Sequence, residues 1–171
     1  MSKDALKTFS EAVSATWGPL TSELVNACQA QVAQLLAAPP TEAWLAALHA
    51  DAPETRELYR DPARDFLLLA HTEQAGLYRP PHDRGRGWVI YAVPRGEQQM
   101  STYRRVHDLR GNALLVKRET YVLRPGDVRV FLPGDIHDTL CKAGPLTLLR
   151  FTSRDFKKEE VTRYPDPRGA S

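Results

Sequence analysis

Arg124-Pro125-Gly126-Asp127-Val128-Arg129-Val130-Phe131-Leu132-Pro133-Gly134-Asp135-Ile136-His137-Asp138 places a short strand between two copies of one turn signal. Proline presets φ for a tight turn, glycine supplies a positive φ, and aspartate can bond back to its own backbone. Pro-Gly-Asp therefore reverses the chain on either side of Val128–Leu132, whose β-branched and aromatic residues suit a pleated surface. So short a segment between reversals fits a sheet of many small strands. The neighbouring sequence has the same texture. Upstream lie Thr120–Leu123, Ala113–Val116 and the turn Arg110-Gly111-Asn112. Before them come Gln99–Val106, the turn Pro94-Arg95-Gly96, the apolar run Trp88–Val93 and the run Phe66–Ala70. Downstream, Leu146–Thr152 is another strand. About eight short strands at close spacing predict an antiparallel sandwich or barrel.

The first 55 residues differ in kind. Ala5, Leu6, Phe9, Val13 and Trp17 recur near a 3.6-residue period and predict a helix over Asp4–Trp17, stopped by Gly18-Pro19. Leu24, Val25, Cys28, Val32, Leu35 and Leu36 mark one face of a second helix over Ser22–Leu36, with Thr21 or Ser22 as its cap and Pro39-Pro40 beyond its end. Thr41 is expected to cap a third helix running to about His49, with Trp44, Leu45 and Leu48 on its face. The stretch from Arg154, charged and ending in Pro165-Asp166-Pro167-Arg168-Gly169, reads as a loose tail.

Composition narrows the function classes. A chain of 171 residues with 42% hydrophobic and 26% charged residues is an ordinary globular domain, which excludes disorder and fibrous repeats. A net charge of +2 argues against a dedicated nucleic-acid binder. No apolar run is long enough to span a membrane, and the N-terminus lacks the basic-then-apolar order of a signal peptide. Cys28 and Cys141 stand in segments of different character and are expected as free thiols in a reducing compartment. The expected location is cytoplasmic.

Among five histidines, His49 ends a helix, where a cation suits the dipole, and His107 sits in an exposed turn. His82 and His137 differ from these. His82 enters a strand from the stiff run Tyr78-Arg79-Pro80-Pro81, and His137 starts a strand after Pro133-Gly134-Asp135. If two hairpins bring them together, their imidazoles could share a metal ion.

The pattern resembles the cupin superfamily. Gly76, His82 and Gly96 fit the places of its first motif. Pro125-Gly126-Asp127, Val128–Leu132, Pro133 and His137 fit its second motif closely. Within cupins the chain is similar to the cysteine-dioxygenase-like group of small thiol dioxygenases, over roughly residues 56–153. The resemblance implies a mainly β fold, a cupin double-stranded β-helix or jelly-roll-like barrel, with about three N-terminal α-helices packed outside. One domain would comprise a helical portion (1–55), the barrel (56–153) and the C-terminal tail (154–171). It also implies Fe²⁺ on His82 and His137, oxidation of a small thiol by O₂, and an arginine such as Arg60 on the substrate carboxylate. A homodimer is the oligomer that it favours.

One departure bears on the chemistry. The second motif histidine of the family falls on Arg84, and a guanidinium stays protonated and cannot ligate a metal. Nor do Leu149-Arg150-Phe151-Thr152-Ser153 supply the Ser–His–Tyr relay of the group. Three alternatives stand. A third ligand could come from His71 or Glu97. The metal could be absent and Arg84 could hold a small anionic ligand. Or the resemblance could extend to fold alone. Arg84 also has a plain reading as a surface cation paired with Asp83 or a neighbour, and Arg60 as a helix-end or turn charge.

Overall fold

The computed structural model describes residues 4–168. Three helices, α1 (Ala5–Thr16), α2 (Ser22–Leu36) and α3 (Ala43–Asp51), precede eight strands. These are β1 (Thr55–Arg60), β2 (Leu67–Glu73), β3 (Tyr78–Asp83), β4 (Val89–His107), β5 (Ala113–Leu123), β6 (Val128–Phe131), β7 (Ile136–Thr152) and β8 (Thr162–Arg163). The fold is the expected double-stranded β-helix. None of the described helices is long and apolar enough to cross a membrane.

The helix starts follow from their caps. Asp4 accepts a hydrogen bond from the Lys7 amide at 2.8 Å, and Thr21 accepts one from Leu24 at 3.1 Å. The expected Thr41 cap does not form. Glu42 takes the capping position of α3 without a side-chain cap bond, because its carboxylate accepts from the Ala5 amide and the Trp44 indole instead. That arrangement ties α3 to the start of α1.

β4 and β7 pair antiparallel along most of their lengths and organise the barrel. At one end, Val89–Ala92 and Leu149–Thr152 are flanked by β6 and β2, with β1 beyond β2. At the other end, Gln98–Tyr103 and Ile136–Cys141 are flanked by β5 and β3, with β8 beyond β3. Each long strand therefore serves both sheets. β4 changes sheet where its register shifts between Ala92 and Gln98. Gly96 makes the bend possible: its φ is +88°, and a Cβ there would lie 2.7 Å from the Ala143 carbonyl oxygen and from the Leu146 Cα. The runs read as separate strands around Pro94-Gly96 are thus one bent strand, and Ala113–Leu123 is likewise continuous.

Strand alternation divides the apolar residues between two cores. Phe66, Leu68, Ala70, Trp88, Ile90, Ala92, Leu149 and Phe151 face outward against Phe9, Val13, Cys28, Val32 and Leu48 of the helices. Val89, Tyr91, Val93, Met100, Phe131, Cys141 and Leu148 fill the space between the sheets. Both cysteines are buried and free. Asp138 pins the second sheet. Its carboxylate accepts from the Tyr103 hydroxyl at 2.6 Å, the Tyr78 hydroxyl at 2.7 Å and the Ser101 amide at 3.0 Å.

The segment after the barrel is not a loose tail. β8 pairs with His82 and Asp83 of β3, the Tyr164 amide bonds to the Pro81 carbonyl, and Phe156 is buried in the inner core. Phe156 supplies the apolar area that holds this charged stretch down.

Candidate functional site

His82 and His137 are cross-strand partners on β3 and β7, with ring centroids 4.6 Å apart. The bend through Pro80 sets the orientation of His82, whose Nδ1 lies 2.9 Å from the Pro80 carbonyl oxygen. A carbonyl only accepts, so Nδ1 carries the hydrogen. Nε2 of His82 is buried without a partner in the protein. His137 stacks on Phe131 at 4.0 Å, and its Nε2 lies 3.3 Å from the Tyr91 hydroxyl. Burial first, and Arg84 second, push the His82 pKa down to about 4. Burial and then His82 hold His137 well below the usual histidine range. Both imidazoles are therefore neutral at pH 7.

The facing sheet contributes Arg150, Tyr91 and His71. Arg150 lies on β7 opposite Leu69 of β2 and Tyr91 of β4, and donates to the Tyr91 hydroxyl. Leu149 and Phe151 face the helices, so alternation turns Arg150 and Thr152 inward. In the sequence, Arg150 falls within the stretch that lacks the Ser–His–Tyr relay. Its signal was a single cation within an apolar strand, Leu148-Leu149-Arg150-Phe151. His71 holds its Nδ1 3.1 Å from the Thr55 hydroxyl and bonds to the Glu54 carbonyl, while its Nε2 is buried and unpartnered. Burial, followed by Arg150, pushes its pKa down to about 3.

His71 and Arg150 line a cavity of about 780 Å³ together with Arg84, Thr152, Phe156 and Arg163, among others. Arg84 also lines an adjoining recess with His82. The Arg84 guanidinium carbon sits 5.1 Å from the Phe156 ring centroid, a cation–π contact. The Nε atoms of Arg84 and Arg150 are both buried without an acceptor. The surface pairing of Arg84 with Asp83 does not occur, since Asp83 accepts from the Gly85 amide and the Tyr164 hydroxyl.

Arg60 also lines the cavity, but its charge is already taken. It pairs with Glu57 at 2.9 Å and Asp155 at 3.3 Å. Glu159, a further acid at the rim, is held by Arg154 at 2.8 Å. Arg84 and Arg150, like Lys157 and Arg163 of the same lining, have no ion pair among the described residues, and of these four only Arg84 and Arg150 carry a buried Nε without an acceptor.

The donor set does not fit an Fe²⁺ centre. Among the described residues, no three His, Cys, Asp or Glu side chains are grouped to hold a metal. His71 faces the arginines without completing such a group, and Glu97 lies at the β4 bend, 3.6 Å from Arg124. The remaining place holds a guanidinium, which would repel the ion.

No family model matches the chain, and no curated protein sequence matches it. Solved structures resemble it in fold. KdgF from Halomonas sp. is 18% identical, with 60% of this chain and 82% of that one covered and a TM-score of 0.46. A cupin superfamily protein from Desulfitobacterium hafniense is 18% identical, with 59% and 76% covered and a TM-score of 0.43. An uncharacterised protein with a double-stranded β-helix domain from Klebsiella pneumoniae is 14% identical, with 63% and 75% covered and a TM-score of 0.45. These likenesses are of fold alone.

Proposed function

We propose that the barrel cavity binds a small anion between Arg84 and Arg150, in a cupin-type site that has lost the metal-binding arrangement. The observation that carries this is the pair of buried guanidinium Nε atoms with no acceptor, both lining one cavity. An unsatisfied buried donor costs about 1–3 kcal/mol, and more when it is charged. An oxyanion placed between the two arginines would accept from guanidinium N–H groups that face the cavity and neutralise charge that no carboxylate of the described residues pairs with. Thiol oxidation is the weaker reading, because the site offers two facing imidazoles and a guanidinium where that chemistry needs a further ligand.

Calorimetric titration of the purified protein with acetate, succinate, sulfate and phosphate at low ionic strength tests the proposal. At least one anion is expected to bind saturably. Arg84→Gln and Arg150→Gln should each weaken it about 10- to 100-fold, the worth of a charged hydrogen bond. Metal analysis should find iron far below one per chain, and cysteine should not drive oxygen uptake. Stoichiometric iron with cysteine-dependent oxygen uptake would overturn the anion site in favour of the dioxygenase.

A further inference from the structure

We infer that the hairpin joining β4 to β5 seats on an anionic phospholipid surface, its tip leucine entering the interface and its arginines meeting the headgroups. This surface is separate from the barrel cavity, and its occupant does not depend on the anion site.

The pairing of β4 with β7 ends at Tyr103 and Ile136, while β4 and β5 stay paired with each other out to His107 and Ala113. Among the described residues no strand other than β4 pairs with β5. From Arg104 to Val116 the chain is therefore a two-stranded ribbon standing beyond the barrel. A bare ribbon has no core to bury apolar groups in, yet this one carries them. Arg104 pairs with Val116 and Val106 with Leu114, which puts all four on one face. Leu114 and Val116 are half exposed, and Leu109 at the tip is fully exposed. None of these residues belongs to either core.

The charge of the ribbon is as distinct as its apolar face. Between Tyr103 and Arg118 stand five cations, Arg104, Arg105, Arg110, Lys117 and Arg118, against one acid, Asp108. Asp108 is engaged in the turn, where it accepts from the Arg110 and Asn112 amides. The ion pairs of the described residues all involve other cations. The whole chain carries only +2, so the remainder is on balance acidic and the ribbon is the positive pole of the molecule.

An anionic bilayer answers both features at once. Each cation near its surface is worth about five-fold in affinity, and the interfacial layer accepts an apolar tip without a shaped pocket. A second copy of this chain would cover the apolar face but set an equal positive charge against it. A nucleic-acid duplex would answer the cations and leave Leu109 among phosphates and water.

Flotation of the full chain with vesicles tests the inference, using phosphatidylcholine alone or mixed with about three parts in ten of phosphatidylserine. The protein is expected to float with the mixed vesicles and to bind pure phosphatidylcholine about ten-fold less tightly or worse. Leu109→Asp should weaken the association by about ten-fold or more, and Arg104→Gln with Arg110→Gln by about 25-fold. All three side chains are exposed, so the thermal midpoints of these variants should match the parent. Cys28 and Cys141 are buried, which lets Leu109→Cys carry an environment-sensitive fluorophore. Its emission should shift to the blue when mixed vesicles are added and stay unchanged with phosphatidylcholine alone. Failure to float with the mixed vesicles overturns the inference, as does flotation that persists unchanged in both variants. A parent dimer in sedimentation that Leu114→Asp dissolves would assign the face to a second copy instead. Duplex DNA that strips the protein from the vesicles at equal charge concentration would assign it to nucleic acid. Either result overturns the lipid surface.

Discussion

Arg150→Met should make the protein more stable and bind worse. The guanidinium is held inside the barrel with a buried Nε that has no acceptor and, among the described residues, no ion-pair partner. Methionine keeps much of the apolar stem and removes the charge. Relief of a buried, uncompensated charge is worth several kcal/mol, while the lost bond to Tyr91 takes back about 1 kcal/mol. The net expectation is a gain of about 1–3 kcal/mol without ligand. At about 2–4 °C per kcal/mol for a domain of this size, the Tm should rise by about 2–12 °C. Ligand affinity should fall by about 10- to 100-fold. Scanning calorimetry with and without the anion reads both changes in one experiment, since the ligand-induced rise in Tm should shrink as the baseline Tm climbs. A variant that is less stable than the parent yet binds equally well would show that the Arg150 charge is satisfied by the protein itself, and the anion site would lose its main support.

Acid should weaken the fold earlier than carboxylate titration alone would. His71 and His82 are lowered from 6.5 to about 3 and about 4, so their contribution is complete above pH 6.5 and is lost as pH falls toward those values. Each should cost up to about 1.4 kcal/mol per pH unit in that window, because the unfolded chain takes up protons that the native one refuses. Urea denaturation at pH 7, 6 and 5 should show the decline and a shallower slope in His71→Gln; a flat parent profile would contradict the burial argument. In Gly87→Ala the new Cβ would lie 2.1 Å from Phe156 Cε1, so the ring must move, at about 1–3 kcal/mol. Limited proteolysis should then cut within 154–164 while the barrel stays intact, and an unchanged digest would mean that Phe156 does not anchor the segment. Asp138→Ala strands the Tyr78 and Tyr103 hydroxyls and the Ser101 amide, for an expected loss of about 3–5 kcal/mol in chemical denaturation. Less than 1 kcal/mol would mean that water replaces the carboxylate.

The turns were the most legible part of the sequence, because their chemistry is local. Pro125-Gly126-Asp127 and Pro133-Gly134-Asp135 bracket β6, and the α2 boundaries follow directly from Thr21 and the break at Pro39-Pro40. Local signals also misled. Pro94-Arg95-Gly96 reads as a hairpin turn, yet β4 passes through it with shifted register, since pairing with β7 continues on both sides. β1 was missed because Thr55–Arg60 is mostly polar and gains its strand character from pairing with β2. The C-terminal stretch looked unstructured because Phe156 is a single anchor among charges. At the site, the His82–His137 approach could be anticipated from the cupin resemblance, with the turn before each histidine as weaker support. The role of Arg150 could not, because the inward direction of one residue in an apolar strand depends on which face the helices cover. Nor could the pairing of Arg60 with Asp155, which returns to it from far along the chain.

The shared strands set how a ligand can enter. Because β4 and β7 run through both sheets, the two walls of the chamber are one piece of folded ribbon and cannot swing apart without tearing their common ladder. Opening must therefore occur at the rim. There, the two-residue β8 pairing, the Phe156 side chain, the Tyr164 bonds to Pro81 and Asp83 and the Asp155–Arg60 ion pair hold the C-terminal segment over the arginines. The chamber keeps a fixed bore and a replaceable stopper. Changes in residues 154–164 can alter how fast a molecule enters or leaves while the width of the binding space stays as β4 and β7 set it.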